Sequence, residues 1–298
     1  MLDKGFKPTV IALGYFDSVH LGHQKLIKLA KEYADKHGCT LTVFTFLGNV
    51  KAKINLTDEK SVYLPREREI FIRDLGADYI YFAPITKTFL STGKLAFLNG
   101  LNKKFNIKCY FSGQDYTFGA YGKGDAKYLT EYAKKHNQEH IIVDTYTYLG
   151  EKVSTTRVKG ALACGNLSLV KKLLGRNYSI SGKVVADRQV GKKLGFPTAN
   201  IFCDSDKFML KNGVYSGSVK IDGKRYSAII NYGARPTYDL KNKLIEAHIV
   251  DFNGDLYGKY ITLEFVDFMR EILRFESEEQ LKEQLKKDLL KIKGEKYD

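Results

Sequence analysis

Two histidines near the start of the chain are spaced for chemistry on a phosphate. The segment GYFDSVHLGHQKLI, which begins at Gly14, places His20 and His23 three positions apart. Side chains at i and i+3 share one face of a helical turn, so both imidazoles can reach one phosphoryl group and stabilise charge on its oxygens. Gly22 between them leaves room for a phosphate beside the main chain. Taken alone, the pair is equally compatible with a metal site or an ordinary helix.

The rest of the sequence disfavours the metal site. Zinc usually takes a third protein ligand, and the HExxH spacing of a metalloprotease is absent. The cysteines show no CxxC spacing, which favours reduced thiols in a cytoplasmic protein over a disulfide framework or a cysteine-ligated metal (Cys39, Cys109, Cys164 and Cys203). The chain also contains neither GxxxxGK[ST] nor GxGxxG after a strand, which argues against P-loop and Rossmann dinucleotide sites.

In the first half, apolar strand patterns alternate with helical periodicity. This alternation predicts a parallel sheet that binds ligands at the carboxyl ends of its strands. The predicted strands cover residues 8–14, 39–46, 78–85, 107–113 and 140–146, with helices between them. The histidine segment then lies at the turn from the first strand into the first helix, where free N–H groups and the helix dipole favour an anion.

After Gly175 the pattern changes to short alternating runs separated by turns, which predicts a compact antiparallel β-barrel. The runs cover residues 178–188, 213–221, 224–233, 243–252 and 260–268. A final helix follows Ser277, which forms a capping-box pattern with Gln280. We therefore predict an α/β parallel-sheet domain at 1–175, ending in a helical linker at about 156–175, and a small barrel domain with a C-terminal helix at 176–298.

Two further segments of the first half carry polar candidates. FSGQDYTFGAYGKGD is a strand exit in which Asp115 can accept a hydrogen bond from a ribose or an amine, although an ordinary polar loop has the same composition. VSTTR groups the hydroxyls of Ser154 and Thr155 beside Arg157 at a helix start, which is also typical of a plain helix cap.

These motifs together resemble those of bacterial bifunctional riboflavin kinase/FAD synthetases. LGYFDSVHLGHQKLI is similar to the HxGH signature of the nucleotidyltransferase superfamily. FSGQDYTFG and VSTTRVKG are similar to the G-x-D/N-F-x-F-G and I-S-S-T-x-I-R segments of the FMN adenylyltransferase module. KKLGFPTANI resembles the G-F-P-T-A-N motif of riboflavin kinases, and NGVYSGSV, INYGARPTY, IEAHIVDF and LYGKYITLEF follow in that family's order.

For the first half, the resemblance implies adenylylation of FMN by ATP, giving FAD and pyrophosphate. His20, His23 and Arg157 would stabilise charge at the α-phosphate. The implied binding residues for nucleotide and flavin are Gly14, Phe16, Asp17, Gly22, Asp115, Ser154 and Thr155.

For the second half, the resemblance implies phosphorylation of riboflavin by ATP. Glu246 lies in an alternating strand pattern, where an isolated carboxylate is usually a solvent-exposed group, and the resemblance makes it the general base for the 5′-hydroxyl of riboflavin. Thr198 and Asn200 are oxygen ligands of the kind that Mg²⁺ prefers. Gly195, Thr198, Asn200 and Arg270 are the implied substrate-binding residues.

The first half departs from the family pattern at several positions. Its second strand reads VFTFLGNVK, whereas the family usually has T-F-E-P-H-P there, and Tyr15 and Ser18 stand where Asn and Gly are common. An alternative hypothesis is therefore a riboflavin kinase whose N-terminal domain has weak or no FMN adenylyltransferase activity. A flavin- or RNA-binding regulator built on a basic surface is a third.

The composition bears on the partners. The net charge is +14, but the lysines are spread along the chain among acidic residues and form no basic stripe with interleaved aromatic side chains. No run approaches the roughly 18–20 apolar residues of a membrane span, and the N-terminus lacks the pattern of a secretory signal. We expect a cytoplasmic enzyme that binds small molecules (ATP, riboflavin and FMN), with no nucleic-acid or membrane partner.

Overall fold

The computed structural model describes residues 7–185, 196–233 and 243–293. The chain divides into two compact units, Met1–Thr155 and Thr156–Asp298. No helix within the described ranges is both long and apolar enough to cross a membrane.

The first unit contains the strands β1 (Thr9–Leu13), β2 (Thr40–Phe46), β3 (Tyr79–Ala83), β4 (Ile107–Gly113), β5 (Thr117–Phe118), β6 (Gly124–Asp125), β7 (Glu139–Val143), β8 (Thr147–Tyr148) and β9 (Glu151–Lys152). Its helices are α1 (Leu21–Lys36), α2 (Val50–Asn55), α3 (Pro65–Asp74), α4 (Lys87–Leu90), α5 (Lys94–Lys104) and α6 (Ala126–Lys135). Five strands form one parallel sheet in the order β3-β2-β1-β4-β7. The short strands pair as two hairpins, β5 with β6 and β8 with β9.

Strand β1 is central and is buried along its whole length. Its alternate residues Val10 and Ala12 pack with α1 on one face of the sheet. Ile11 and Leu13 pack with α5 and α6 on the other face. A strand covered on both faces must be apolar at every position, which explains the run TVIAL. The chain crosses over in opposite directions on the two sides of β1, so the loop after β1 lies at the point where ligands bind in such sheets.

The second unit follows with α7 (Thr155–Ala163), α8 (Leu167–Leu174), the strands β10 (Tyr178–Val185), β11 (Thr198–Cys203), β12 (Gly213–Ile221), β13 (Lys224–Tyr232), β14 (Lys243–Ile249) and β15 (Tyr260–Arg270), and α9 (Glu278–Lys293). The six strands close into an antiparallel barrel in the order β10-β11-β14-β13-β12-β15. Helix α9 packs on the outside of the barrel, where Leu289 and Ile292 contact Val214 and Ile229.

The predicted fold class is confirmed: a parallel α/β sheet is followed by an antiparallel barrel and a C-terminal helix. The predicted cap of that helix is also confirmed, because Ser277 Oγ accepts a hydrogen bond from the N–H of Gln280 (3.3 Å). The strand predicted at 140–146 ends at Val143, because the chain then enters the β8–β9 hairpin. Residues 186–195, which include the candidate Gly195, lie outside the described residues.

Candidate functional site

The two histidines lie at the carboxyl end of β1 and the N-terminus of α1. His20 is the N-cap of α1, and its Nδ1 accepts a hydrogen bond from the N–H of His23 (3.2 Å). The two imidazoles stack with their centroids 3.6 Å apart, and the ring of Phe16 packs edge-on against His23. An accepting Nδ1 makes Nε2 the N–H donor of a neutral His20. The pair is therefore held in one arrangement at a helix end that favours anions.

The loop that leads to these histidines has a strained backbone. Phe16 and Val19 are fully buried and adopt left-handed conformations, with φ values of 52° and 42°. Side-chain-bearing residues keep such conformations only where their surroundings hold them, and β-branched residues rarely adopt them. A Cβ at Gly14 would lie 2.7 Å from the ring of Phe16, and one at Gly22 would lie 3.1 Å from the ring of His20. Both glycines thus leave space for the packed rings of Phe16 and His20. That Gly22 also leaves space for a phosphate stays a prediction.

Hydrogen bonds from distant segments hold this loop. Asp17 is buried and accepts from the N–H of Val62 through Oδ1 (3.0 Å). Ser18 Oγ shares a hydrogen bond with Thr155 Oγ1 (3.0 Å), which brings the VSTTR segment to the histidine loop. Ser18, which stands where the family commonly has Gly, thus forms a hydrogen bond within the candidate site.

The other departure in this loop, Tyr15, is held as well. Its hydroxyl shares a hydrogen bond with Ser61 Oγ (3.1 Å). Its carbonyl oxygen accepts from Thr45 Oγ1 (2.6 Å) and from Arg68 Nη1 (3.0 Å). Sequence reasoning missed Arg68, because the only local signal was a charged residue in a helix.

Asp115 follows β4 and lies on the surface. Its carboxylate forms an ion pair with Lys152 of the β8–β9 hairpin. The Lys152 ammonium donates to Asp115 and holds the pKa of that carboxyl below its usual value. The role of Asp115 in binding a ribose or an amine stays a prediction.

The remaining residues of the VSTTR segment lie at the start of α7. Ser154 directly precedes the helix and Arg157 is in its first turn; both are half-buried. Their assignment to phosphate binding stays a prediction.

The segment after β2, where the resemblance led us to expect P-H-P, forms a capped turn and a short helix. Asn49 caps the short helix α2, and its Oδ1 accepts from the N–H of Ala52 (3.0 Å). Leu47, the first residue after the strand, is 57% exposed. A capped turn that starts with an exposed leucine thus occupies the position of the family's P-H-P segment.

In the second unit, the barrel register brings three predicted residues together. Asn200 of β11 lies directly opposite Glu246 of β14, and directly opposed residues share one face of a sheet. Thr198 Oγ1 donates to Glu246 Oε1 (2.9 Å). A hydroxyl, a carboxamide and a carboxylate are therefore adjacent on the outer face of the barrel.

The donor set here fits a magnesium ion. Asn200 is buried, and within the described residues its Oδ1 has no hydrogen-bond partner. A buried oxygen without a partner is unfavourable unless something else binds it, and Mg²⁺ prefers oxygen ligands. No cluster of three or more histidine, cysteine or acidic side chains that could hold a metal occurs in the described part of the chain. The ligands would be Thr198 and Asn200, together with substrate phosphates.

Glu246 has two further neighbours on its face of the barrel. Asn231 of β13 lies opposite Glu246 on the side away from Asn200, so these three side chains share a row across the strands. His248 Nδ1 is 2.9 Å from the carbonyl oxygen of Pro197, and its ring packs edge-on against Phe196. Local spacing could not reveal Asn231, because it is a neighbour only through strand pairing. His248 lies two positions after Glu246 on the same strand and shares its face by alternation. His248 thus fixes the two residues that directly precede Thr198.

The hydrogen bonds that the structure describes for Arg270 lead to α9 and to the carbonyl oxygen of Glu271. Its guanidinium forms hydrogen bonds with the buried carboxylate of Asp288 in α9, the shortest being 2.7 Å from Nη2 to Oδ2. Gln284 donates to the same carboxylate (2.9 Å). Next to this helix, a groove is lined by Leu289, His248 and the segment 249–253. The structure therefore shows Arg270 fastening α9, and its predicted contact with a substrate stays a prediction.

The fold and the two sites define a chain with a nucleotidyltransferase-like sheet and a separate barrel that carries a candidate phosphoryl-transfer site. A family profile described as FAD synthetase matches residues 3–157, and one described as riboflavin kinase matches residues 174–294. The chain belongs to the family of bifunctional riboflavin kinase/FMN adenylyltransferases.

Relatives of that description match over most of the chain. The protein of that name from Bacillus subtilis is 33% identical over 285 residues, which cover 94% of this chain and 90% of the relative. The Escherichia coli K12 protein of the same name is 31% identical over the same shares. A crystal structure described as a macrolide-efflux protein from Streptococcus pneumoniae superposes with a TM-score of 0.87 at 32% identity, covering 97% of this chain and 95% of that one.

Proposed function

We propose that this chain makes FMN from riboflavin and ATP in its second unit and FAD from FMN and ATP in its first. The observation that carries the proposal is that each matched family region contains its own cluster of suitable side chains. The FAD synthetase region contains the stacked His20–His23 pair at a helix N-terminus. The riboflavin kinase region contains Thr198, Asn200 and Glu246 on adjacent strands.

In the kinase reaction, the 5′-hydroxyl oxygen of riboflavin attacks the γ-phosphorus of ATP and ADP leaves. Glu246 takes the hydroxyl proton as the new O–P bond forms. The hydrogen bond from Thr198 orients the carboxylate, because it fixes the position of Oε1. Mg²⁺ held by Thr198 and Asn200 would neutralise charge on the transferred phosphoryl group.

In the adenylyl transfer, a phosphate oxygen of FMN attacks the α-phosphorus of ATP and pyrophosphate leaves. A phosphate monoester is largely ionised near neutral pH, so its oxygen needs no general base. The protein's task is to position the two phosphates and to stabilise charge on the α-phosphoryl oxygens. His20 and His23 can do this as N–H donors at the end of α1, with Arg157 and Ser154 as the proposed partners from the α7 segment.

The domain assignment is part of the proposal. The two matched regions end at 157 and begin at 174, so a stretch that contains most of α7 and α8 lies between them. This supports a helical linker at about 156–175 between the two reaction centres. We propose a first domain at 1–175 that ends in this linker and a kinase domain at 176–298, whereas the two compact units divide at Thr155.

One assay tests the adenylylation half directly. The protein is incubated with FMN, ATP and Mg²⁺, and FAD is separated by chromatography. We expect FAD and an equal amount of pyrophosphate. The altered segment after β2 favours one other outcome, a kinase that forms FMN from riboflavin but yields no FAD even at high enzyme concentration. That outcome would restrict the function to riboflavin phosphorylation.

A further inference from the structure

Arg68 brings a positive charge into the interior of the first unit. Its side chain is fully buried in the first turns of α3. The guanidinium donates to the carbonyl oxygen of Tyr15 (3.0 Å), to Thr45 Oγ1 (3.2 Å) and to the carbonyl oxygen of Phe46 (2.7 Å). All three acceptors are uncharged oxygens. Burial is the main cause that lowers the pKa of Arg68 from its ordinary value, yet an arginine side chain keeps its proton in a protein.

The acceptors belong to the two strand ends that lead into the first site. Tyr15 is in the loop between β1 and the histidine pair, while Thr45 and Phe46 are the last residues of β2. Thr45 Oγ1 also donates to the carbonyl oxygen of Tyr15 (2.6 Å), so hydroxyl and guanidinium act on one oxygen. The aromatic rings of Tyr15 and Phe82 flank the guanidinium at 5.4 and 5.6 Å. One side chain thus joins the ends of β1 and β2.

Burial of the Arg68 charge costs free energy of folding, and the packing of this side chain alone does not explain why it is there. A buried charge without an ion-pair partner is unfavourable. Within the described residues Arg68 makes no ion pair, although the buried carboxylate of Asp17 attracts its charge from a greater distance. An apolar side chain would fill the same volume without that cost. The benefit lies in the loop. Tyr15 directly precedes Phe16, whose left-handed conformation (φ 52°) needs external support. The guanidinium of Arg68 supplies this support by binding the main-chain carbonyl oxygen of Tyr15. A substitution of a side chain in the loop would leave that oxygen in place.

We propose that Arg68 is a positioning residue for the adenylyl transfer, an inference that rests on the proposed function of the first unit. Arg68 and Thr45 fix the distance between the histidine loop and the segment after β2. The histidine loop would hold ATP, and the segment after β2 would hold FMN. The reacting phosphates would therefore meet only when these two segments are at the correct distance from each other. A misplacement of about 1 Å at such a site can reduce the rate about 10²-fold.

Thr45→Val gives the sharpest test, since valine keeps the shape of threonine and removes the hydroxyl that contacts both Tyr15 and Arg68. Thr42→Val is the matched control: Thr42 is also buried in β2 and is bonded through its hydroxyl, but to Thr9 at the opposite end of the strand (2.8 Å). Arg68→Lys keeps the charge and removes the planar fork. The readouts are kcat and KM for FAD formation, the thermal unfolding midpoint, and FMN formation from riboflavin by the same preparation.

We expect Thr45→Val to lower kcat for FAD formation about 10-fold and Arg68→Lys about 10²-fold, with KM for ATP changed by less than about threefold. Kinase activity should be unchanged in both. Thr42→Val should keep the wild-type kcat, even if its unfolding midpoint falls as far as that of Thr45→Val. Equal kcat values for the two threonine variants would overturn the positioning role and leave Arg68 as a structural residue. Absence of FAD with the wild-type chain would instead reject the proposed function, and the inference with it.

Discussion

The ion pair between Arg270 and Asp288 should decide whether α9 stays on the barrel. Asp288 is completely buried, and it accepts from Arg270 Nη2 at 2.7 Å and from Gln284 Nε2 at 2.9 Å. Removal of one partner of a buried pair costs about 3–5 kcal/mol, because the other charge remains buried and unpaired. Asp288→Asn should therefore destabilise the attachment of α9 by about that amount. Since about 1.4 kcal/mol corresponds to a factor of ten, the state in which α9 is detached from the barrel should become roughly 10²- to 4 × 10³-fold more populated.

Hydrogen exchange in peptides from residues 278–293 of the full chain measures this directly. The matched control is Glu283→Gln, the same chemical change at an exposed position of the same helix. The double variant Arg270→Met with Asp288→Leu should recover most of the protection, because it leaves no unpaired charge. Exchange in Asp288→Asn that matches the Glu283→Gln control would refute the reasoning and show that apolar packing alone holds α9.

Three other predictions follow from the sites. Glu246→Gln should reduce FMN formation at least about 10²-fold, the range of general-base catalysis, whereas Glu264→Gln, another barrel carboxylate, should have little effect; initial rates with riboflavin distinguish them. His23→Ala should reduce FAD formation by about 10²- to 10³-fold, as the loss of one oxyanion donor does, while the exposed His136→Ala should not; pyrophosphate release measures both. Burial lowers the pKa of His140 to about 4, so the unfolded chain takes up a proton near pH ~6.5 and the folded chain does not. The stability that this neutral imidazole contributes is complete above pH ~6.5 and is lost as the pH falls toward ~4. His140→Gln should flatten the fall of the unfolding midpoint in that window, and an unchanged slope would contradict the assignment.

The features that could be predicted are those with a local signature. The strand TVIAL, the glycine after it and the helical spacing from Leu26 onward are enough to place the histidine pair at a strand-to-helix turn. Five of the six barrel strands could be predicted in the same way, because each of the five is a short alternating run bounded by a turn, whereas β11 was not among the predicted runs. The family resemblance singled out Thr198, Asn200 and Glu246, and the structure places the three side chains next to one another.

The features that could not be predicted depend on contacts between distant residues. Arg68 bonds to residues that are 53 and 22 positions away in the chain, and nothing in the helix PREREIFIRD distinguishes it from its charged neighbours. Asn231 is a neighbour of Glu246 only through the pairing of β13 with β14. For Arg270, the family resemblance implies a contact with the substrate, which stays a prediction. The folded chain adds a buried carboxylate as its partner, and no local pattern indicated that contact. The roles of these three residues depend on contacts with residues that are distant in the sequence.

The most direct measurement of the central claim is a time course that starts from riboflavin. The protein is mixed with riboflavin, ATP and Mg²⁺, and the three flavins are separated by chromatography. The wild-type chain should form FMN first and FAD after a lag. His23→Ala should stop at FMN, and Glu246→Gln should form FAD only when FMN is supplied. A wild-type chain that accumulates FMN without FAD, or variants that lose both activities together, would contradict the assignment of one reaction to each unit.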